Sequence, residues 1–342
     1  MPTAAFLNAD KSIDLKPAEA PDLNPGQARI NVAYCGVCGT DLHIYRGHMD
    51  QRVKFPQVIG HEMSGTVAEV ASDVTTVTAG DPVVVRPLDP CGQCGACSSG
   101  NSHICYKLNF IGIDSAGAFQ HSFVVPAHTL HKLPAGLDLR LAALIEPLAV
   151  ACHDNRLGRV APSENVVVLG GGPIGLLNAM VAQTKGARKI IVSEVNESRL
   201  KLAEELGFLT MNPIKDDVVK FVEAETDGKG ADVVFEVSGA KSAIASMTDL
   251  AAARGRIVIV AIVPEPAPVN LFKVFWRELQ LIGTRVYEPQ DYEEAIQLVD
   301  SGKLQLDKLI TAEMPLPKLA DAFKSLDENP DHVKILIDCS AG

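Results

Sequence analysis

The sequence predicts an α/β protein in which a β-rich domain is joined to a doubly wound parallel-sheet domain. Three observations carry this. From roughly 151 to 289, apolar strand-like runs alternate with helical segments, the pattern of a parallel sheet with crossover helices. A glycine turn, GGGPIG, joins the first of those runs to its helix. From about 28 to 86, short apolar runs such as ARINVAY, GTVAEV and DPVVV are broken by Gly, Pro and Asp, as in a β-rich fold. The chain of 342 residues is long for one domain and sufficient for two, each with its own core.

The elements follow in order. After the β-rich half, LAALIEPLAVACHDNRL spaces apolar residues as one helix between 140 and 156. NVVVLGGGPIGLLNAMVAQ then reads as buried strand, turn and helix; RKIIVSE and SRLKLAEELG repeat the unit, and ADVVFEVSG, KSAIASMTDLA, RIVIVAI and LQLIGTRVY continue it. The tail has helices in DYEEAIQLVDSG and around PKLADAFKSL and a strand in HVKILID, without a continuing βα register, and is assigned back to the first domain. The expected boundaries are 1–150 with 290–342 for one domain and 151–289 for the other. No repeat or low-complexity segment is present.

The glycine turn satisfies G-x-G-x-x-G with Gly170, Gly172 and Gly175, and Pro173 and Ile174 lie within the same turn. A strand precedes it and a helix follows, so the helix N-terminus would present free N–H groups to a pyrophosphate. The next strand ends on Glu194, where a carboxylate would accept from ribose hydroxyls and repel a 2′-phosphate. NAD is therefore favoured over NADP. Arg199, five residues on, complicates this or packs against an adenine.

Eight cysteines sit at 35, 38, 91, 94, 97, 105, 152 and 339. Cys91, Cys94, Cys97 and Cys105 crowd a lobe at about 89–107, and four thiolates at such spacing suit a closed, structural zinc, with an iron–sulfur cluster as the alternative. His103, inside the lobe, adds nothing to a completed tetrahedron. CGVCGTDLH at 35–43 and GHE at 60–62 differ: dispersed ligands of mixed type leave a coordination position open, as in a catalytic zinc. Cys35, Cys152 and Cys339 read as packing thiols. Arg86, just before the lobe, reads as an exposed arginine rather than a reader of anionic substrate.

The formal charge of −11 opposes a nucleic-acid partner. No apolar run approaches the roughly 18 residues of a membrane span, and the N-terminal stretch lacks secretory features, so a cytoplasmic location is expected.

CGVCGTDLH, IGHEMSGTV, the four-cysteine lobe, IEPLAVACH and VVVLGGGPIGLLNAM, in this order and spacing, resemble the zinc-dependent medium-chain alcohol and polyol dehydrogenases over essentially the whole chain. The resemblance implies a GroES-like β-barrel catalytic domain with a Rossmann domain, two Zn2+ per chain, NAD, a small-molecule alcohol or ketone substrate, and a homo-oligomer, dimer or tetramer. It also implies that Cys38 and His61 ligate the catalytic zinc. Glu62 would complete the coordination with a water, and Glu146 stands where the sorbitol-dehydrogenase branch replaces a cysteine of the liver-type enzymes. Asp41 would orient His61, Thr40 would touch the reacting oxygen, and His43 would end a proton relay.

An alcohol yields hydride readily only as an alkoxide, and zinc lowers the pKa of bound water from 15.7 to about 7, so the ion accounts for a barrier no side-chain base removes alone. By the resemblance to the polyol branch, the glutamates imply a polyol, a sugar alcohol or a related hydroxy compound as substrate. A simple alcohol, a vicinal diol or a hydroxy acid is the alternative. Phe110, Ile44 and Tyr45 are positional candidates for the pocket, and Arg285 stands one residue early for the arginine of the polyol branch. A zinc ribbon, a zinc-free quinone reductase and a noncatalytic NAD(H) sensor each leave some of these motifs unexplained.

Overall fold

The computed structural model describes residues 2–18 and 21–341. The chain forms two compact units, Met1–Glu146 with Glu288–Gly342, and Pro147–Tyr287. The division falls inside the helix Ile145–Leu157.

The second unit is a six-stranded parallel sheet. Numbered within the unit in chain order, its strands run 3-2-1-4-5-6, with Asn165–Leu169 and Ala231–Glu236 side by side at the centre. This is the dinucleotide-type order, which places a switch point between those two strands. Helices cover both faces of such a sheet, so its strands are apolar without alternation. Val166, Val167 and Val168 are fully buried, as are Ile191, Val192, Val233, Val234, Phe235, Ile257 and Val258. At roughly 1.5–3 kcal/mol for each fully buried aliphatic side chain, these runs form the unit's main apolar core.

The first unit is built on a seven-stranded, mostly antiparallel sheet of GroES-like type. Its organising strand, Gln27–Gly36, pairs with Glu62–Val70, Ser122–Pro126 and Lys334–Asp338. Ten residues serve three partners because Ser122–Pro126 takes residues 27–31 and Lys334–Asp338 residues 34–36, while Glu62–Val70 pairs along the strand with register shifts at Arg29/Ile30 and Val32/Tyr34. Leu88–Asp89 pairs with Asn109–Phe110 and closes the base of the cysteine lobe.

Three local expectations are corrected. The single helix over 140–156 is two, Leu139–Ala142 and Ile145–Leu157. Pro147 has no N–H and is accommodated in the first turn of the second helix, where donors lack intrahelical partners anyway. Arg86 is buried rather than exposed: its Nε donates to His131 Nε2 at 3.3 Å, and His131 Nδ1 lies 2.6 Å from Glu293 Oε1. In the tail, Ile310–Pro315 forms a further strand, parallel to Lys334–Asp338 and joined to it through the helix Leu319–Glu328, so a βα register is present there. That strand is half-buried and pairs on one side only, which left no apolar run to read.

Candidate active site and metal centres

The cysteine lobe is a local construction. Cys94 precedes the short helix Gly95–Ser98, Cys97 lies on it, and Cys105 follows the 3-10 turn Ser102–Ile104. The Sγ atoms of Cys94 and Cys97 are 3.5 Å apart, those of Cys94 and Cys105 3.7 Å, and those of Cys105 and Cys91 3.4 Å. A disulfide would need about 2.05 Å, whereas a tetrahedron with Zn–S near 2.3 Å separates its sulfurs by about 3.8 Å. Backbone N–H groups of Tyr106 and Lys107 point at Cys94 and Cys105 at 3.4 and 3.3 Å. Such N–H groups, that of Cys97 first and that of Tyr106 second, pull the Cys94 thiol down to about 6. The donor set fits a closed zinc site.

The second group is assembled from distant segments. Cys38 caps the helix Gly39–Tyr45, and its N–H donates to Asp41 Oδ2 at 2.9 Å. Gly36 pairs with Glu62 across the sheet, so the register that joins the two strands also brings Cys38 against His61 and Glu62. One ligand atom from each of these three lies within 4.8 Å of the others. Asp41 Oδ1 stands 3.5 Å from His61 Nδ1, both atoms being buried, which leaves Nε2 as the ring's available donor. Burial disfavours a charged His61, but Asp41 and Cys38 outweigh it and raise its pKa well above the usual value. Phe110 packs edge-on against His61 with ring centroids 5.4 Å apart.

Glu62 has a partner that no local motif announces. Lys334, on the returning strand of the tail, donates to its two carboxylate oxygens at 2.8 and 2.7 Å and to the carbonyl of Val37 at 3.2 Å. Both side chains are almost fully buried. Burial opposes the charge on Lys334, yet Glu62, Cys38 and Glu146 together raise its pKa. The carboxylate occupies the place of a missing side chain: a Cβ on Gly36 would lie 2.2 Å from Glu62 Oε2. Sequence reasoning missed Lys334; the signal available was a lysine opening the strand KILID directly before three apolar residues.

Other predicted residues fall nearby or elsewhere. Glu146 is buried on the first turn of its helix but outside the Cys38–His61–Glu62 trio. Thr40 is half-buried and His43 exposed on the helix that Cys38 caps. Ile44 belongs to the core, and Tyr45 stacks on Phe323 at 5.0 Å. Arg285 is exposed, and Cys35, Cys152 and Cys339 are buried.

In the other unit, Gly172 caps the helix Pro173–Thr184, whose first residue is the proline. A Cβ on Gly175 would stand 1.8 Å from the carbonyl of Gly170, so only glycine lets the helix meet the turn; a Cβ on Gly172 would meet nothing within 4 Å. That open space beside a helix N-terminus fits a pyrophosphate. Glu194 accepts from the N–H groups of Gly171, Val195 and Asn196 at 2.9, 2.7 and 3.0 Å, which fixes its carboxylate at the mouth of the turn. Ile174 is half-buried, and Arg199 lies on the helix Glu197–Glu205, its N–H capped by Asn196.

A dinucleotide-type turn in one unit, with a cysteine–histidine–carboxylate trio and a four-thiol lobe in the other, are the parts of a metal-assisted dehydrogenase. Comparison with known proteins agrees. The family "Alcohol dehydrogenase GroES-like domain" matches residues 24–135, and "Zinc-binding dehydrogenase" matches 173–301. A 2-dehydro-3-deoxy-L-galactonate 5-dehydrogenase of Pseudoalteromonas atlantica is 51% identical over 99% of both chains. A sorbitol dehydrogenase of Halalkalibacterium halodurans is 35% identical over 93% of this chain and 94% of its own. Among solved structures, a candidate zinc-binding dehydrogenase of Sinorhizobium meliloti bound to NADP superimposes with a TM-score of 0.92 at 31% identity, covering 99% of both chains. The chain belongs to the zinc-dependent medium-chain dehydrogenase/reductase family. Among the described residues no helix is long and apolar enough to cross a membrane.

Proposed function

We propose that the protein transfers hydride between NAD and a secondary hydroxyl or ketone of a polyhydroxylated chain, a polyol, a sugar alcohol or a sugar acid. The observation that carries this reading is the Cys38–His61–Glu62 trio, whose mixed donors suit an ion with a position open to substrate. The relatives that act on a deoxy-keto sugar acid and on sorbitol support the substrate class.

Cys38 and His61 would hold the catalytic zinc, with Glu62 and Glu146 completing its surroundings directly or through water. When bound, the ion supplies a Lewis acid for the reacting oxygen and the nicotinamide accepts or gives the hydride. Asp41 fixes the tautomer of His61 through Nδ1. Lys334 neutralises Glu62 and restrains both of its oxygens, so this carboxylate reaches an ion only by yielding part of that pair. Thr40 and His43, on one helix turn, carry the substrate's proton outward. Cys91, Cys94, Cys97 and Cys105 would hold the second, structural zinc.

Glu194, held at the mouth of the glycine turn, favours a ribose diol over a 2′-phosphate by like-charge repulsion. NADP is the second reading, favoured by the NADP-bound structure of similar fold. Absorbance at 340 nm with a panel of polyols and aldonic acids, each with NAD and with NADP, tests the reading. Reduction of NAD with about two zincs per chain is the expected result; no turnover on any member of the panel would reject it.

A further inference from the structure

The helix that Cys38 caps ends in a turn that joins two histidines. Arg46 is its C-cap, and Gly47 follows in the left-handed region at φ +83°. The N–H of Gly47 donates to the carbonyl of Ile44 at 3.0 Å and the N–H of His48 to that of His43 at 2.9 Å. These are the paired 5→2 and 6→1 bonds of a Schellman cap, a motif in which the side chains three residues before and two after the C-cap boundary meet, usually as an apolar contact. Here the two side chains are imidazoles. His43 Nδ1 lies 3.1 Å from His48 Nδ1, with ring centroids 5.4 Å apart.

An Nδ1–Nδ1 hydrogen bond needs one protonated nitrogen and one bare one, so the contact holds a single proton that either ring can carry. We propose, resting on the dehydrogenase reading above, that His48 receives the proton delivered by His43 and releases it to water. His48 touches neither substrate nor cofactor in this scheme and acts through His43. Each alcohol oxidised sends two electrons as hydride to NAD and frees one proton. That proton would enter His43 at Nε2 while the proton on His43 Nδ1 passes to His48 Nδ1, and His48 returns one from Nε2 to solvent.

The surroundings suit a carrier that must let go. Both imidazoles are exposed. Partial burial, then the charges of His48 and Arg46, lower the pKa of His43, which weakens its hold on the proton. The acids near this turn are already engaged: Asp327 accepts from Arg46 Nε at 2.9 Å, Asp114 accepts from Arg52 through two bonds of 2.7 Å, and Asp50 is paired with Lys11. None of the three is a free carboxylate that would trap the proton on His48.

The test is His48→Gln in the zinc-loaded full chain, mixed rapidly with NAD and whichever polyol or aldonic acid the parent oxidises, in weak buffer with a pH indicator. The variant should release its proton at least about 5-fold more slowly than the parent, a small part of the 10²–10⁴ typical of general acid–base groups. Added imidazole should restore the rate, and zinc content and melting temperature should match the parent. Gly47→Ala, strained at its positive φ, should reproduce the defect by displacing His48. Equal proton-release rates in parent and His48→Gln, with no response to imidazole, would overturn the proposal while leaving the dehydrogenase reading intact. A parent that reduces no NAD with any of these compounds would reject the dehydrogenase reading instead.

Discussion

The two candidate metal centres of the first unit are made in opposite ways. The lobe draws four ligands of one kind from fifteen consecutive residues, and its geometry is set by one short helix, one 3-10 turn and a two-residue strand pair. The Cys38 group draws unlike ligands from either side of an antiparallel register, and its charge is balanced by a lysine 272 residues from Glu62. A local knot can be saturated with identical donors and closed. A group assembled across a sheet can keep a position open, because the sheet rather than the ion holds its members in place.

This contrast predicts a double dissociation. Cys38→Ala or His61→Ala should lower turnover by more than about 10³-fold, the equivalent of several kcal/mol of Lewis-acid assistance, while NADH fluorescence titration shows unchanged dinucleotide binding. Activity near the parent's in either variant would falsify the site. Cys97→Ser should act on stability first. Structural zinc contributes on the order of 10–16 kcal/mol in isolated peptides, so the variant should lose one zinc per chain and melt well below the parent. An unchanged melting curve and metal content would show that the lobe holds no structural zinc.

The next effect in size concerns the pair behind the open site. Lys334→Met leaves the Glu62 carboxylate buried without its cation, and breaking such a pair costs about 3–5 kcal/mol. Lys334→Arg should recover most of it. Denaturant midpoints decide this, and equal midpoints for parent and Lys334→Met would show that another group balances Glu62. The smallest effect lies away from both candidate metal centres, at His131. Burial, the first of its influences, lowers its pKa although Glu293 acts in the opposite sense. Its contribution to stability is therefore complete above the ordinary histidine pKa of about 6.5 and is lost as pH falls through the lowered folded value. His131→Gln should flatten the acid limb of the stability curve, measured as melting temperature against pH; an unaltered limb assigns it to other groups.

The legible parts of the molecule were those whose physical reason is local. The apolar runs of the parallel sheet needed no partner to be recognised, because both faces are covered. The glycine turn was readable because Gly175 is required by a contact five residues away. The strand Ile310–Pro315 was not, since a half-exposed edge leaves neither an apolar run nor a turn signal. The burial of Arg86 is not legible in sequence, because it depends on which other segments lie over it, here His131 and its partner Glu293.

By itself the sequence determined the fold class, because strands covered on both faces read as apolar runs whatever they pair with, and the dinucleotide turn and the four-thiol lobe, because each is enforced by contacts within about fifteen residues of chain. Only the tertiary structure decided that Glu62 faces Lys334, that Gly36 makes room for the carboxylate, and that His43 meets His48 across a left-handed cap. The first two depend on strand register, which residue type alone does not write; the third depends on the rotamers of two side chains, of which the sequence shows only the glycine, Gly47, that permits the left-handed turn.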